Sequence, residues 1–140
     1  MTVLPAYTKP EDILNGGYDG IMLSNGPGDP QENTEIIENL KVLTKSGMPI
    51  FGICLGHQLL ALSIGAQTKK MTFGHRGVNH PVKDLAHDRT YITSQNHGYA
   101  VLGETVNPDI ARVSHININD NTCEGIEHLH APIFTVQYHP

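Results

Sequence analysis

Cys54 stands in Gly52-Ile53-Cys54-Leu55-Gly56, a thiol with a glycine two residues to either side. That spacing suits a nucleophile on a sharp turn between a strand and a helix, with glycines where backbone must approach closely. Such a turn projects the sulfur from the carboxyl edge of a sheet. A helix N-terminus behind it favours thiolate through its free N–H groups and dipole. The N–H of Leu55 is then aimed where an oxyanion would form on attack at an amide carbonyl. The plain alternative is a buried, inert cysteine. The strand–turn–helix pattern and a second glycine-rich loop, Gly26-Pro27-Gly28, favour the nucleophile. In a parallel sheet that loop reaches the same edge and offers a second oxyanion donor.

A thiol nucleophile needs a proton carrier. His57 lies three residues beyond Cys54 on the same helix, which points it alongside the sulfur rather than at a leaving group. His97, in Gln95-Asn96-His97-Gly98-Tyr99, and His139, after an apolar run, could both reach from elsewhere in the sheet. A strand terminus gives His139 the most rigid mount, but on these grounds all three stay candidates.

The elements that must position these groups alternate in the first half. Residues 20–24 read as a buried strand, and Asn25 to Pro30 as a loop dense in turn formers. A helix starts at Asp29 or Asn33, carries Ile36, Ile37, Leu40 and Leu43 on one face, and stops at Gly47. Residues 49–53 form a short apolar strand, as when both faces are covered. Leu55, Leu59 and Leu62 begin a second helix that ends near Gly65. This predicts βαβ units and an α/β fold with a mostly parallel central sheet flanked by helices. Beyond Gly65, short runs at 67–72, 90–94, 111–118 and 133–138 read as continuing the sheet with an antiparallel extension. Thr2-Val3-Leu4 is all there is for a first strand, and the chain stops at His139-Pro140 directly after an apolar run. Both ends therefore read as cut, with residues 1–140 a piece of one domain.

Composition fits an ordinary water-soluble globular chain, at 39% hydrophobic and 16% charged residues. The net charge of −5 and the lack of a Lys/Arg cluster argue against nucleic acid and anionic membrane as partners. Lys69-Lys70 reads as a solvated strand edge. No apolar run reaches the roughly 18 residues a membrane span needs. Two cysteines, Cys54 and Cys123, make no disulfide framework and point to a reducing cytoplasm. Nine histidines invite a metal, yet their spacing makes no zinc pattern, and His128 and His130 read as exposed; no metal is expected.

Phe51-Gly-Ile-Cys54-Leu-Gly-His-Gln58, the Gly-Pro-Gly loop and the terminal His139-Pro140 together resemble the triad-type, class-I glutamine amidotransferases. Ser24 to Pro30, Phe73 to Pro81 and Ser94 to Tyr99 are similar to the small-subunit branch that serves carbamoyl phosphate synthetases. The resemblance covers essentially the whole chain and implies a flavodoxin-like fold. It also implies that Cys54 attacks the carboxamide of L-glutamine, that the amides of Leu55 and Gly26 hold the oxyanion, and that His139 protonates ammonia and activates water. Gln58, Asn96, Gly28 and the backbone at Gly98 and Tyr99 would hold the substrate's α-amino and α-carboxylate groups. Ammonia would pass to a large synthetase subunit or fused synthetase domain. ATP and Mg would bind there, because this chain has no nucleotide-phosphate loop. The family's histidine is followed two residues on by a glutamate, a position beyond Pro140. The expectation is a weak or inactive glutaminase, by analogy with the roughly 10⁴-fold loss when a serine triad loses its acid. Competing readings are a cysteine hydrolase of another amide or thioester, and a non-catalytic regulatory or binding relative.

Overall fold

A computed structural model describes residues 1–140. The first half follows the alternation. After β1 (Ile21–Leu23), the Asp29 side chain accepts from the Gln31 N–H and starts a 3₁₀ turn over Pro30–Glu32. Helix α2 (Thr34–Leu43) buries Leu40 and Leu43, as its periodicity predicts, and β2 (Ile50–Ile53) follows. Helix α3 (Leu55–Ser63) is buried from Gly56 through Ala61. Leu59 and Leu60 pack with Leu40, Leu43, Ile50 and Ile133 in one apolar cluster that holds both helices to the sheet. A short α1 (Pro10–Leu14), unforeseen in the sequence, precedes β1, and residues 2–4 form no strand.

The sheet is less parallel than predicted. Only β1, β2 and β7 (Ile133–Val136) run parallel, with Ile21 beside Ile50 and Ile50 beside Ile133. The rest is antiparallel: β3 (Thr68–Asp84), β4 (Arg89–Val101), β5 (Ala111–Asn117) and β6 (Cys123–His128). The strand order is β1-β2-β7-β6-β4-β3-β5, and β5 pairs back on β6, closing the last four into a ring. A parallel pair needs a long crossover, and beyond α3 the chain has only turns and one 3₁₀ turn at Gly103–Thr105. A flavodoxin-like sheet is thus replaced by a three-strand parallel segment joined to an antiparallel barrel.

Helices flank only one face of that parallel segment. Met22, Phe51 and Phe134 form a row across its other face, with the two phenylalanine rings stacked at 4.5 Å. Met22 is 59% exposed and Phe134 52% exposed, so the apolar run of β2 does not mark a strand covered on both sides.

Candidate active site

Gly52 and Gly56 are required by contact. A Cβ on Gly52 would stand 2.8 Å from the Gly56 carbonyl, and one on Gly56 would collide with the Leu23 carbonyl. With both bare, α3 sits hard against the ends of β1 and β2. Cys54 takes the corner with φ 54° and ψ −104°, a strained backbone for a side-chain-bearing residue. Its N–H donates to the Val136 carbonyl at 2.9 Å, so the bend is bolted to β7. The Gly26 loop does reach this edge: a Cβ on Gly26 would lie 2.8 Å from the Leu55 side chain. Gly28 is exposed at φ 93°, a conformation that favours glycine.

Cys54 is 2% exposed. Burial pushes its thiol above the ordinary value; the Leu55 N–H and the Gln137 amide pull it down, and the Glu124 carboxylate adds to the rise. The predicted helix-terminus effect is present but is outweighed by desolvation. A cleft of about 630 Å³ lies at the opposite end of α3, beside Ser63 and Ile64.

Of the three histidines, His57 is fully buried, with Nδ1 2.6 Å from the Thr135 hydroxyl. Burial, then the fields of His97 and His115, lower it to about 3, so it stays neutral. His97 is buried too, with Nδ1 donating to the Tyr99 carbonyl at 2.7 Å and Nε2 3.2 Å from His75 Nδ1. Burial is the main cause that lowers it to about 4. His139 is only half-buried and its ring has no hydrogen bond. It follows β7, three residues beyond Val136, the register partner of Ile53, and its backbone N–H donates to the Ser94 carbonyl. Adjacent parallel strands therefore deliver Cys54 and His139 to one sheet edge.

The remaining predicted residues divide. Gln58 is buried and its Nε2 donates to the Tyr99 carbonyl and to Gln137 Oε1, each at 2.9 Å. Both of its N–H groups are thus used, and only its carbonyl oxygen is left unbonded. This bond ties Tyr99, and with it Gly98, to α3. Asn96 is exposed on β4 and its side chain bonds nothing.

Sequence reasoning missed Gln137, buried, whose Nε2 donates to Cys54 Sγ at 3.4 Å. The signal was a glutamine within an otherwise apolar run. It also missed the polar interior of the ring. There His75 contacts Asp120 at 2.6 Å and Glu124 at 3.3 Å, and Gln95 donates to Glu124 at 2.9 Å. Burial alone would discharge His75, but the bonds and charges of Glu124 and Asp120 raise it to about 9. The donor atoms of His75, His97 and Glu124 lie within 4.8 Å of one another, the one set in the chain that could hold a cation. They are joined instead to one another, Gln95, Asn117 and Asp120. His128, read as exposed, is buried at the end of β6, and His130 is exposed. No helix is long and apolar enough to cross a membrane.

A strained cysteine turn between a parallel strand and a buried helix, beside a glycine loop and at the same sheet edge as a strand-end histidine, has a match among known families. The description "Glutamine amidotransferase class-I" matches residues 1–140, and the chain belongs to that family. Its relatives narrow this. It is 57% identical over its full length to the carbamoyl phosphate synthase small chain of Oceanobacillus iheyensis, covering 38% of that protein. It is 51% identical to the small chain of Symbiobacterium thermophilum, again over its full length and 39% of that protein. The chain thus spans about two-fifths of these relatives. The fold is similar to a candidate GMP synthase component of Thermoplasma acidophilum, with TM-score 0.82, 22% identity, 99% of this chain and 70% of that one. A glutamine amidotransferase of Thermotoga maritima gives TM-score 0.70 and 18% identity over 89% of this chain and 56% of that one.

Proposed function

We propose that this domain hydrolyses L-glutamine to glutamate and ammonia through a Cys54 thioester, and that the ammonia supplies a synthetase subunit or fused domain making carbamoyl phosphate. The observation that carries the reading is the strained bend at Cys54, held to β7 by the 2.9 Å bond to Val136, with His139 at the end of that strand. Backbone strain at a buried thiol is retained where position matters more than comfort.

In the proposed sequence the Cys54 thiolate adds to the carboxamide carbon, forming a C–S bond while the carbonyl π electrons move to oxygen. The Leu55 N–H, freed from the sulfur as its charge is lost, and the Gly26 N–H receive that oxyanion. Collapse breaks the C–N bond, and the imidazolium of His139 gives its proton to the departing nitrogen. Neutral His139 then takes a proton from water as the water's oxygen bonds to the thioester carbon; collapse breaks the C–S bond, and glutamate leaves with the Cys54 thiolate and the His139 imidazolium restored. The substrate ammonium rests on the Gln58 carbonyl; Gly28, Asn96 and the backbone at Gly98 and Tyr99 hold the α-carboxylate end. Chemistry needing ATP is assigned to the synthetase partner, and a cytoplasmic setting follows from that partnership.

Incubation with a chloroketone analogue of glutamine is expected to give one adduct, on Cys54, formed more slowly when free L-glutamine is present. A folded protein that takes no adduct would favour a non-catalytic binding role. An adduct that glutamine does not slow would favour a hydrolase of another substrate.

A further inference from the structure

Gln137 and Cys54 are 83 residues apart in sequence, yet the amide of one donates to the sulfur of the other. Which end of that amide faces the sulfur is fixed from a distance. The Tyr99 carbonyl can only accept, so Gln58 must present Nε2 to it. The second hydrogen on the same Nε2 goes to Gln137, which must therefore present Oε1 to Gln58. That leaves Gln137 Nε2 toward the sulfur, as a donor and never as an acceptor. Gln58 and Gln137 are 3% and 0% exposed and their amides are bonded at both ends of the relay, so neither amide can turn freely.

From this geometry we propose that Gln137 is a catalytic residue, the side-chain donor that holds the Cys54 thiolate, and that the Tyr99 carbonyl orients it through Gln58. The inference rests on Cys54 being the nucleophile. A thiolate accepts hydrogen bonds more strongly than a thiol, so a fixed donor favours ionisation and leaves the sulfur aimed. It is needed because burial and Glu124 both oppose ionisation, and the only other donor is the Leu55 N–H. The titratable groups on the surrounding elements are Cys123, Glu124, Glu127 and His128 on β6, His57 on α3, Arg89, Tyr91, His97 and Tyr99 on β4, and His139 after β7. Of these, Glu124 acts on the thiol itself. The arrangement couples two functions: the same Tyr99 segment proposed to hold glutamine also sets the donor on the sulfur, so a displaced segment would loosen the nucleophile.

The test is the pH dependence of Cys54 alkylation by iodoacetamide, read by mass spectrometry on the full chain. Gln137→Met keeps the side-chain length and removes the donor; its midpoint is expected to rise by roughly one pH unit, about tenfold less thiolate below the midpoint. Gln58→Met, which releases the amide to rotate, should shift the midpoint in the same direction by less. A Gln137→Met midpoint equal to or below the parent's, with an unchanged circular dichroism spectrum, overturns the proposal. The unmutated protein carries a second test that needs no variant. The side-chain amide protons of Gln137 are expected to move downfield in NMR across the alkylation midpoint, and a resonance that stays fixed also overturns it. Protection by L-glutamine is measured separately, so failure here leaves the glutaminase reading standing, and failure of protection leaves this one standing.

Discussion

Thr135 holds His57 by a bond of 2.6 Å, and the same hydroxyl accepts the Ile126 N–H at 3.2 Å. One oxygen thus pins the helix that begins after Cys54 to β7, which leads to His139, and ties both to β6. Thr135→Val keeps the shape but strands a ring whose Nε2 already lacks a partner. The expected loss is about 1–3 kcal/mol of stability, with a slower Cys54 alkylation, measured by urea unfolding and mass spectrometry.

The close approach at the elbow separates two glycines that look alike in sequence. Gly56→Ala drives a methyl into the Leu23 backbone, whereas Gly28→Ala meets open space and bears only the cost of φ 93°. Gly56→Ala should cost about 3 kcal/mol or more, and Gly28→Ala about 1 kcal/mol. Equal losses in paired urea titrations would refute the packing argument.

Strain at Cys54 has its own signature. Glycine adopts φ 54° with ψ −104° at less cost than alanine. Cys54→Gly should therefore be more stable than Cys54→Ala by about 1 kcal/mol, although glycine is usually the less stable choice. Differential unfolding of the two variants is the measurement; the reverse order would mean the bend is relaxed.

Stability should peak near pH 6.5. His57 and His97 stay neutral in the folded chain down to about 3 and about 4, while an unfolded histidine takes its proton near 6.5. In that interval the unfolded chain binds more protons, so stability falls as the pH drops. His75 runs the other way: with a folded value of about 9, its contribution is whole below 6.5 and is lost as the pH rises through 9. Urea midpoints from pH 4 to 9 should trace a maximum, and His75→Gln should flatten its alkaline side. A parent midpoint that climbs between pH 7 and 9 would contradict this.

The elbow was legible because it is local: a cysteine, two glycines and the change from strand to helix fall within a few residues. The antiparallel ring was not, because strand direction depends on pairings between distant segments. Gly74 and Gly77 also broke up the pattern of β3, where their positive φ values accompany register shifts on either side of His75 and Gly77. Glu124 and Glu127 hid β6, since two acids in a six-residue strand read as loop. Only in the fold does Glu124 find Gln95, Asn117 and His75. Gln58 was singled out by resemblance, but its bonds to Tyr99 and Gln137 were not legible, because they join three separate elements.

Cys123 lies in an apolar cluster with Ala61, Val101 and Ile126, its thiol pushed up to about 12 by burial. A thiol so sealed would not serve as a resolving partner were Cys54 oxidised to a sulfenic acid. Recovery of an oxidised Cys54 would then depend on thiols from the surrounding medium, without which the sulfur can go on to the irreversible sulfinic state.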